Sequence, residues 1–205
     1  IRDSCGAILL SSKGNDTDII LSGGAISNDA NHISGPSRTG DGLYLAIRQA
    51  MEEAAVLAED VSFMNTHGTA TVYNDEMESK AIHLAGLETV PVHSLKSYFG
   101  HTLGASGVIE SIICIHELKE NVLFGTLGYE KPGVSMPILV QADHQEIPMK
   151  HCIKTASGFG GCNAAIVLTL PAYQKQPSRV QSSVTVHTTA TVSIENSCLS
   201  MNGET

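Results

Sequence analysis

The sequence predicts a layered α/β fold with a mostly parallel sheet and one antiparallel edge. Three observations carry this. Short apolar runs alternate with segments whose apolar residues recur at helical spacing. The order that results is strand–helix–strand–helix–strand–helix–strand–strand, which builds a sheet covered by helices. The closing pair of strands flanks a Gly-rich turn, as an antiparallel hairpin would.

The elements follow in order. Ala7–Leu10 is a short apolar run, read as a buried strand outside that count. Lys13–Asp16 is a turn. Ile19–Ile26 is the first counted strand. Ser27–Gly42 is rich in Gly, Asn, Asp, Ser and Pro, hence a long loop of the kind that often carries function. From Leu43, apolar residues fall at 43, 46, 47, 50, 51, 54 and 57, the stripe of an amphipathic helix. Ser62–Asn65 is a short strand. Asn74 is the predicted N-cap of a helix bearing Met77, Ala81, Ile82 and Leu84 on one face. Val90–Ser94 is strand-like.

His101–Glu120 is the longest helical pattern. Its first turns hold Gly104, Ala105, Ser106 and Gly107, small residues that let another backbone approach. Val108, Ile109, Ile112, Ile113, Ile115 and Leu118 then make it apolar over much of its girth, which predicts a core helix. Ile153–Ala156 and Ala164–Leu170 are the closing strands. After Pro171 the composition changes: residues 176–205 hold eleven Ser or Thr in thirty positions, with a weak strand pattern at Val184, Val186, Val192 and Ile194. This region reads as a tail or linker.

Composition bounds the function. The chain has 205 residues, 42% hydrophobic, which suits one globular domain plus a tail. Its net charge of −9 argues against binding a nucleic-acid backbone. No run of about 18 apolar residues predicts a membrane span, and no leader peptide is read. Charged residues are only 16%, which fits much area buried at an interface. The first residue is Ile1, which suggests a fragment or processed piece. Five cysteines without a C-x-x-C suggest reduced thiols in a cytoplasmic protein and no metal site, zinc ribbon or disulfide framework. The sequon at Asn15 is read as chance.

Three segments carry the chemistry: Asn65-Thr66-His67-Gly68-Thr69-Ala70-Thr71; Lys96-Ser97-Tyr98-Phe99-Gly100-His101-Thr102-Leu103-Gly104-Ala105-Ser106-Gly107; and Ser157-Gly158-Phe159-Gly160-Gly161-Cys162-Asn163-Ala164. Each follows a predicted strand or opens a predicted helix. Ligands of open α/β sheets gather outside the carboxyl ends of strands, so the three converge on one site.

Together these segments resemble the C-terminal half of the β-ketoacyl-[acyl carrier protein] synthases, condensing enzymes of fatty acid and polyketide synthesis with the thiolase fold. The resemblance covers about residues 5–171. Ser27-Asn28-Asp29-Ala30-Asn31-His32 matches a long loop of the family, Asn74-Asp75 and Glu78 follow His67, and Glu110 lies in the long helix. The implied fold is half of a layered α/β/α/β/α sandwich with a five-stranded mixed sheet. The implied domains are a closing strand of the other half over 1–12, the thiolase-like domain over 13–172 and a tail over 173–205.

The resemblance also implies the roles. His67 and His101 would donate hydrogen bonds to the enolate oxygen of a decarboxylating malonyl thioester. Lys96 would organise the site, with Glu110 as its partner. Phe159 would supply an oxyanion-hole N–H and a gating ring, in a turn made pliant by Gly158, Gly160 and Gly161. Thr69 and Thr71 would contact pantetheine. His101 is expected at the start of its helix, whose positive end favours a neutral imidazole. No cofactor is implied, since substrates ride on the phosphopantetheine of acyl carrier protein. Acyl carrier protein, the N-terminal half and a dimer mate are the implied partners. The family's nucleophilic Cys lies in that other half, and no cysteine here has a matching context. This chain alone should therefore be silent. Ser157 stands where many relatives have a large aromatic. The alternative is a non-catalytic subunit of the chain-length-factor type.

Outside that context, His32, His93, His116, His144, His151 and His187 read as ordinary surface or core residues. Gly158–Gly161 precedes a strand, not a helix, so it is a poor phosphate loop. His187–Thr191 echoes His67–Thr71 without its glycine and reads as coincidence.

Overall fold

The computed structural model of the chain describes residues 1–175 and the strand backbone of 184–187, 190–195 and 198–203. In chain order the elements are β1 (Leu9–Ser11), β2 (Ile19–Asn28), α1 (Asp41–Ala54), β3 (Val61–Asn65), α2 (Val72–Leu84), β4 (Val92–His93), α3 (Lys96–Phe99), α4 (Ser106–Glu120), β5 (Val122–Leu123), β6 (Gln145–Glu146), β7 (His151–Gly158), β8 (Cys162–Thr169), β9 (Val184–His187), β10 (Ala190–Glu195) and β11 (Cys198–Gly203). The rest of the Ser/Thr-rich tail, including Thr188 and Thr189 of the echoed motif, lies outside the described residues.

Five strands in the order β2-β8-β7-β3-β4 form the expected mixed sheet, and β9 and β1 extend it beyond β2. β3 runs parallel to both β7 and β4, whereas β8 runs antiparallel to β7 and to β2. The antiparallel side is therefore broader than the single edge expected. The reason is the placement of β2, which enters as the antiparallel partner of β8 along nearly its whole length.

Strand periodicity divides the core in two. On β3, Met64 joins the cluster under α1 and α2, and Phe63 joins the cluster under α4. Ile153 and Cys152 of β7, and Val167 and Leu168 of β8, divide in the same way. The result is three layers, with α1 and α2 on one face of the sheet and α4 on the other. Gly23 permits the first contact: a Cβ there would stand 2.2 Å from the Ala50 carbonyl oxygen, so only glycine lets α1 lie this close to β2. Around α4, Ile109, Ile112, Ile113, Cys114, Ile115 and Leu118 are all buried, as a core helix requires. The amino-terminal segment crosses it, with Gly6 close against Val108 and Ile109.

The first strand is Leu9–Ser11, not Ala7–Leu10, and it lies exposed at Leu9 and Leu10 where a buried strand was expected, because it pairs at the outer edge of the sheet. Other boundaries differ too. α1 stops at Ala54, where Ala55 turns left-handed, so Leu57 falls outside it. Asn74 is not the cap of α2. Thr71 holds that position, and Asn74 is buried within the helix because its amide is taken by Glu78. The pattern 101–120 is broken at its start. Gly100 ends α3 at φ 74°, Leu103 is left-handed at φ 51°, Leu103–Ala105 forms a 3₁₀ turn, and α4 begins only at Ser106. His101 thus precedes the helix instead of opening it. Among the described residues no helix is long and apolar enough to cross a membrane.

Since Ile113 of α4 is fully buried, Ile113→Ala should cost about 2–5 kcal/mol and Ile113→Val about 0.5–1.5. Urea unfolding of the two variants checks the pair.

Candidate active site

The sheet brings the motifs to one edge. β3, β4 and β7 run parallel, so their carboxyl ends deliver Thr66-His67, Ser94-Leu95-Lys96 and Ser157–Phe159 to the same side. A cavity of about 750 Å³ opens there, bordered by Thr69, Glu78, His93, Lys96 and His101 among others.

The loop that carries His67 is held by a buried carboxylate. Glu78 accepts the N–H of His67 and that of Gly68, each at 2.7 Å, and the Asn74 amide at 2.7 Å. Burial pushes the Glu78 carboxyl upward, while the Gly68 and His67 N–H groups and the Lys154 charge pull against it. Gly68 adopts φ +48°, and a Cβ there would stand 2.5 Å from that of Ser94. Glycine is therefore required at that turn. The Ser94 hydroxyl then donates to the Gly68 carbonyl at 2.8 Å, joining the ends of β3 and β4.

The two histidines meet edge to face, with ring centroids 5.2 Å apart and an interplanar angle of 81°. The Nδ1 of His101 accepts the Leu103 N–H at 3.0 Å, and the Ser106 hydroxyl lies 3.2 Å away. A neutral ring that accepts at Nδ1 carries its proton at Nε2, so His101 presents a donor. Desolvation and then the Lys96 charge hold its pKa below the usual value. This replaces the helix-terminus effect expected from the sequence. His67 is lowered further, to about 3, by burial first and by the Lys96 and Lys154 ammoniums next. Its Nδ1 is buried without a hydrogen-bond partner, the kind of atom a bound molecule satisfies.

Beneath the rings lies a chain of buried charge. Lys96 donates to the His67 carbonyl and, at 2.6 Å, to Glu110 Oε1. Lys154 of β7 pairs with Glu110 Oε2 at 2.7 Å, and both side chains are under 5% exposed. Burial opposes the Glu110 charge, but the Lys154 and Lys96 ammoniums outweigh it and hold its carboxyl below the usual range. Burial lowers the Lys96 pKa against the pull of Glu110.

The structure thus gathers His67, Lys96, His101 and Glu110. Thr69 lines the same cavity, and its hydroxyl lies 2.8 Å from that of Thr71. Phe159 stands apart, at the tip of the β7–β8 hairpin, with 84% of its surface exposed. Among the described residues no hydrogen bond or ring contact joins it to the histidines. The turn beneath it is well anchored: the Gly160 N–H reaches the Ile33 carbonyl at 2.7 Å, and the Gly161 carbonyl accepts the Asp29 N–H at 2.8 Å. Asn163 ties Asp29 at 2.7 Å and takes the Ser157 hydroxyl at 2.8 Å. The loop after β2 therefore rests on the turn bearing Phe159.

Lys154 was missed by the sequence reading, which saw only an apolar strand there. A lysine within Cys152-Ile153-Lys154-Thr155-Ala156 was itself a signal, because a buried ammonium requires a partner. Ser94 and Ser106, which position the two histidine loops, carried no such signal.

A family model described as "Beta-ketoacyl synthase, C-terminal domain" matches residues 19–130. The chain is 36% identical over 152 residues to 3-oxoacyl-[acyl-carrier-protein] synthase 2 of Vibrio harveyi, covering 72% of this chain and 37% of that protein. Among solved structures it is similar to a ketosynthase in complex with its chain length factor from Xenorhabdus doucetiae, at 31% identity and a TM-score of 0.70, covering 74% of this chain and 39% of the other. It is also similar to a chain of a solved complex of a type II polyketide acyl-carrier protein with its ketosynthase, at 30% identity and a TM-score of 0.67, covering 73% of this chain and 38% of the other. The chain spans little more than a third of the curated relatives it matches.

Two outcomes follow from the geometry. Glu110→Gln leaves two buried ammoniums facing a neutral amide, and should destabilise the fold by about 3–5 kcal/mol. Adding Lys154→Met should restore part of that loss in urea unfolding. His67 protonates near 6.5 when unfolded but only near 3 when folded. The unfolded state therefore binds the extra proton between these values. The stability contributed by this ring is complete above pH 6.5 and declines as pH falls toward 3. An imidazole NMR titration should find His67 neutral throughout pH 5–8, and a midpoint near 6.5 would contradict the buried site.

Proposed function

The chain belongs to the β-ketoacyl synthase family, as the C-terminal half of its thiolase-like layered fold, and from that premise we propose that it carries the malonyl-activating half of a condensing site. The observation that carries this reading is the pair of neutral imidazoles stacked edge to face above the Lys96–Glu110–Lys154 charges.

A condensation of this type breaks the C–C bond to the malonyl carboxylate and releases CO₂. The electron pair left behind spreads onto the thioester oxygen as an enolate. His67 and His101, kept neutral, donate hydrogen bonds to that oxygen. Donors aimed at a developing oxyanion are worth roughly 10²–10³ in rate apiece. The enolate carbon then attacks an acyl thioester on a Cys of the N-terminal half, and the Cys thiolate leaves. Phe159 offers its N–H to the tetrahedral oxyanion from the hairpin tip, and Thr69 and Thr71 meet the pantetheine arm. Lys96 and Glu110 do not take part in bond making; they fix the His67 loop and its charge. No cofactor is required, because acyl carrier protein delivers both thioesters. The N-terminal half and a dimer mate complete the cytoplasmic enzyme. A scaffolding subunit of the chain-length-factor type has no use for two neutral imidazoles set over buried charge, which favours the catalytic reading.

In the complete enzyme, His67→Ala and His101→Ala should each slow malonyl decarboxylation by about 10²–10³. Condensation retained in both variants would refute the role. The 205-residue chain alone, incubated with a labelled acyl thioester, should take up no label on any cysteine; stoichiometric labelling, at the exposed Cys162 above all, would place the nucleophile here.

A further inference from the structure

Below the cavity floor lies a second cluster, which the proposed chemistry does not use. His93 ends β4, and Cys114 and Glu117 stand three residues apart on α4, a spacing that puts them on one helix face. One ligand atom from each lies within 4.8 Å of the others, and all three residues are buried. We infer that His93, Cys114 and Glu117 form a binding site for a divalent transition metal of the zinc type.

The first argument is unmet hydrogen bonding. Glu117 Oε2, His93 Nδ1 and the neighbouring Asn65 Oδ1 are buried with no hydrogen-bond partner. Native interiors seldom leave such atoms unmatched. His93 Nε2 and Glu117 Oε2 approach to 3.3 Å, an ion pair when the ring is protonated, so a bound ion would displace the proton between them. The second argument is donor chemistry. Imidazole, thiolate and carboxylate together are a set that zinc-type ions take and that magnesium or calcium do not. The third is support around the donors. The Phe124 N–H donates to Glu117 Oε1 at 2.9 Å, and the Asn65 side chain lies 3.3 Å from His93 Nε2. Partners of this kind orient metal ligands. Cys152 of β7 hydrogen-bonds Cys114 and places a second thiol beside the cluster. His93 also borders the large cavity, which gives an ion a route in.

The charges balance. Glu117 binds as the carboxylate. Cys114 gives its thiol proton, and the His93–Glu117 ion pair the proton that His93 holds in it, to solvent. Two positive charges enter as two protons leave. The ion would join β4 to α4 directly beneath the loop carrying Lys96, so the site is structural and stands independently of the catalytic reading.

Native mass spectrometry of the full chain with Co²⁺ or Zn²⁺ should find one ion bound per chain, at the mass of the metal less two protons. Co²⁺ should bring a thiolate-to-metal charge-transfer band. Cys114→Ser should abolish the band and Glu117→Gln should weaken binding by about 10–100-fold, while Cys162→Ser changes neither. On the unaltered chain, where no variant has to fold, bound Zn²⁺ should protect Cys114 from alkylation. A folded chain that binds no ion at one equivalent, a band that survives Cys114→Ser, or alkylation of Cys114 unaffected by Zn²⁺ would each overturn the assignment.

Discussion

The Glu110 carboxylate, gripped by two ammoniums, is the interaction on which the rest of the site depends. One oxygen faces Lys96 at 2.6 Å and the other faces Lys154 at 2.7 Å. These residues come from the neighbouring helices α3 and α4 and from β7, which is far from both in the chain. Burying an ion without a partner costs more than the fold can spare. Each residue is tolerable only because the others are present, so the charges set the distance and register between α4, β7 and the loop after β4. The apolar clusters then fill the space this leaves. Hydrophobic burial brings α4 onto the sheet, but it is non-directional. The ion pairs supply the direction.

The same charges govern the imidazoles. Lys96 both pairs with Glu110 and donates to the His67 carbonyl, so the group that organises the cluster also fixes the histidine backbone. Glu78 completes the grip by taking the N–H groups of His67 and Gly68. His67 thus lies beside two ammoniums, with Lys96 donating to its carbonyl and Glu78 accepting its N–H. Its ring has every reason to stay uncharged, and a neutral ring keeps a hydrogen bond to donate without electrostatic repulsion from the lysines. His101 reaches the same state by a different route, through desolvation and a left-handed Leu103 whose N–H occupies Nδ1.

Much of this was legible in the sequence, and the reasons for what was not are local. The stripe from Leu43 and the apolar girth of Ile109–Leu118 wrote their burial into the helical period. The closing strands at Ile153–Ala156 and Ala164–Leu170 were legible as apolar runs around a Gly-rich turn. The motif residues His67, Lys96, His101 and Glu110 were recognisable, and the structure places them together. Asn74 misled because its type favours caps, yet a buried Glu78 four residues on outbid the helix terminus for its amide. The start of α4 misled because a Gly-rich stretch fits a frayed helix and a turn equally well; the left-handed Leu103 decides it, and no propensity forecasts that. The second lysine on Glu110 was invisible as a pair, since residues 110 and 154 meet only after the sheet has formed. Phe159 was recognised by its turn, but its place at an exposed tip depends on contacts from the loop after β2.

That exposure and the buried charge describe one division of labour. Half of the site is assembled within this chain: His67 and the Lys96–Glu110–Lys154 charges are buried, and His101 stands half-buried at the edge of the cavity. The other half is presented outward. Phe159 stands 84% exposed on a turn whose backbone is nonetheless pinned by Asp29, Ile33 and Asn28. Glycines at φ 82° and 75° beneath it would leave a free loop pliant, so the pins, not the residues of the turn, fix where its N–H points. A donor held this firmly in water gains little until water is excluded, because the same hydrogen bond is far stronger in a low-dielectric surround. The chain therefore carries a preorganised donor whose effect waits on a covering surface. The unmatched Nδ1 of His67 is likewise an atom that a bound molecule would satisfy.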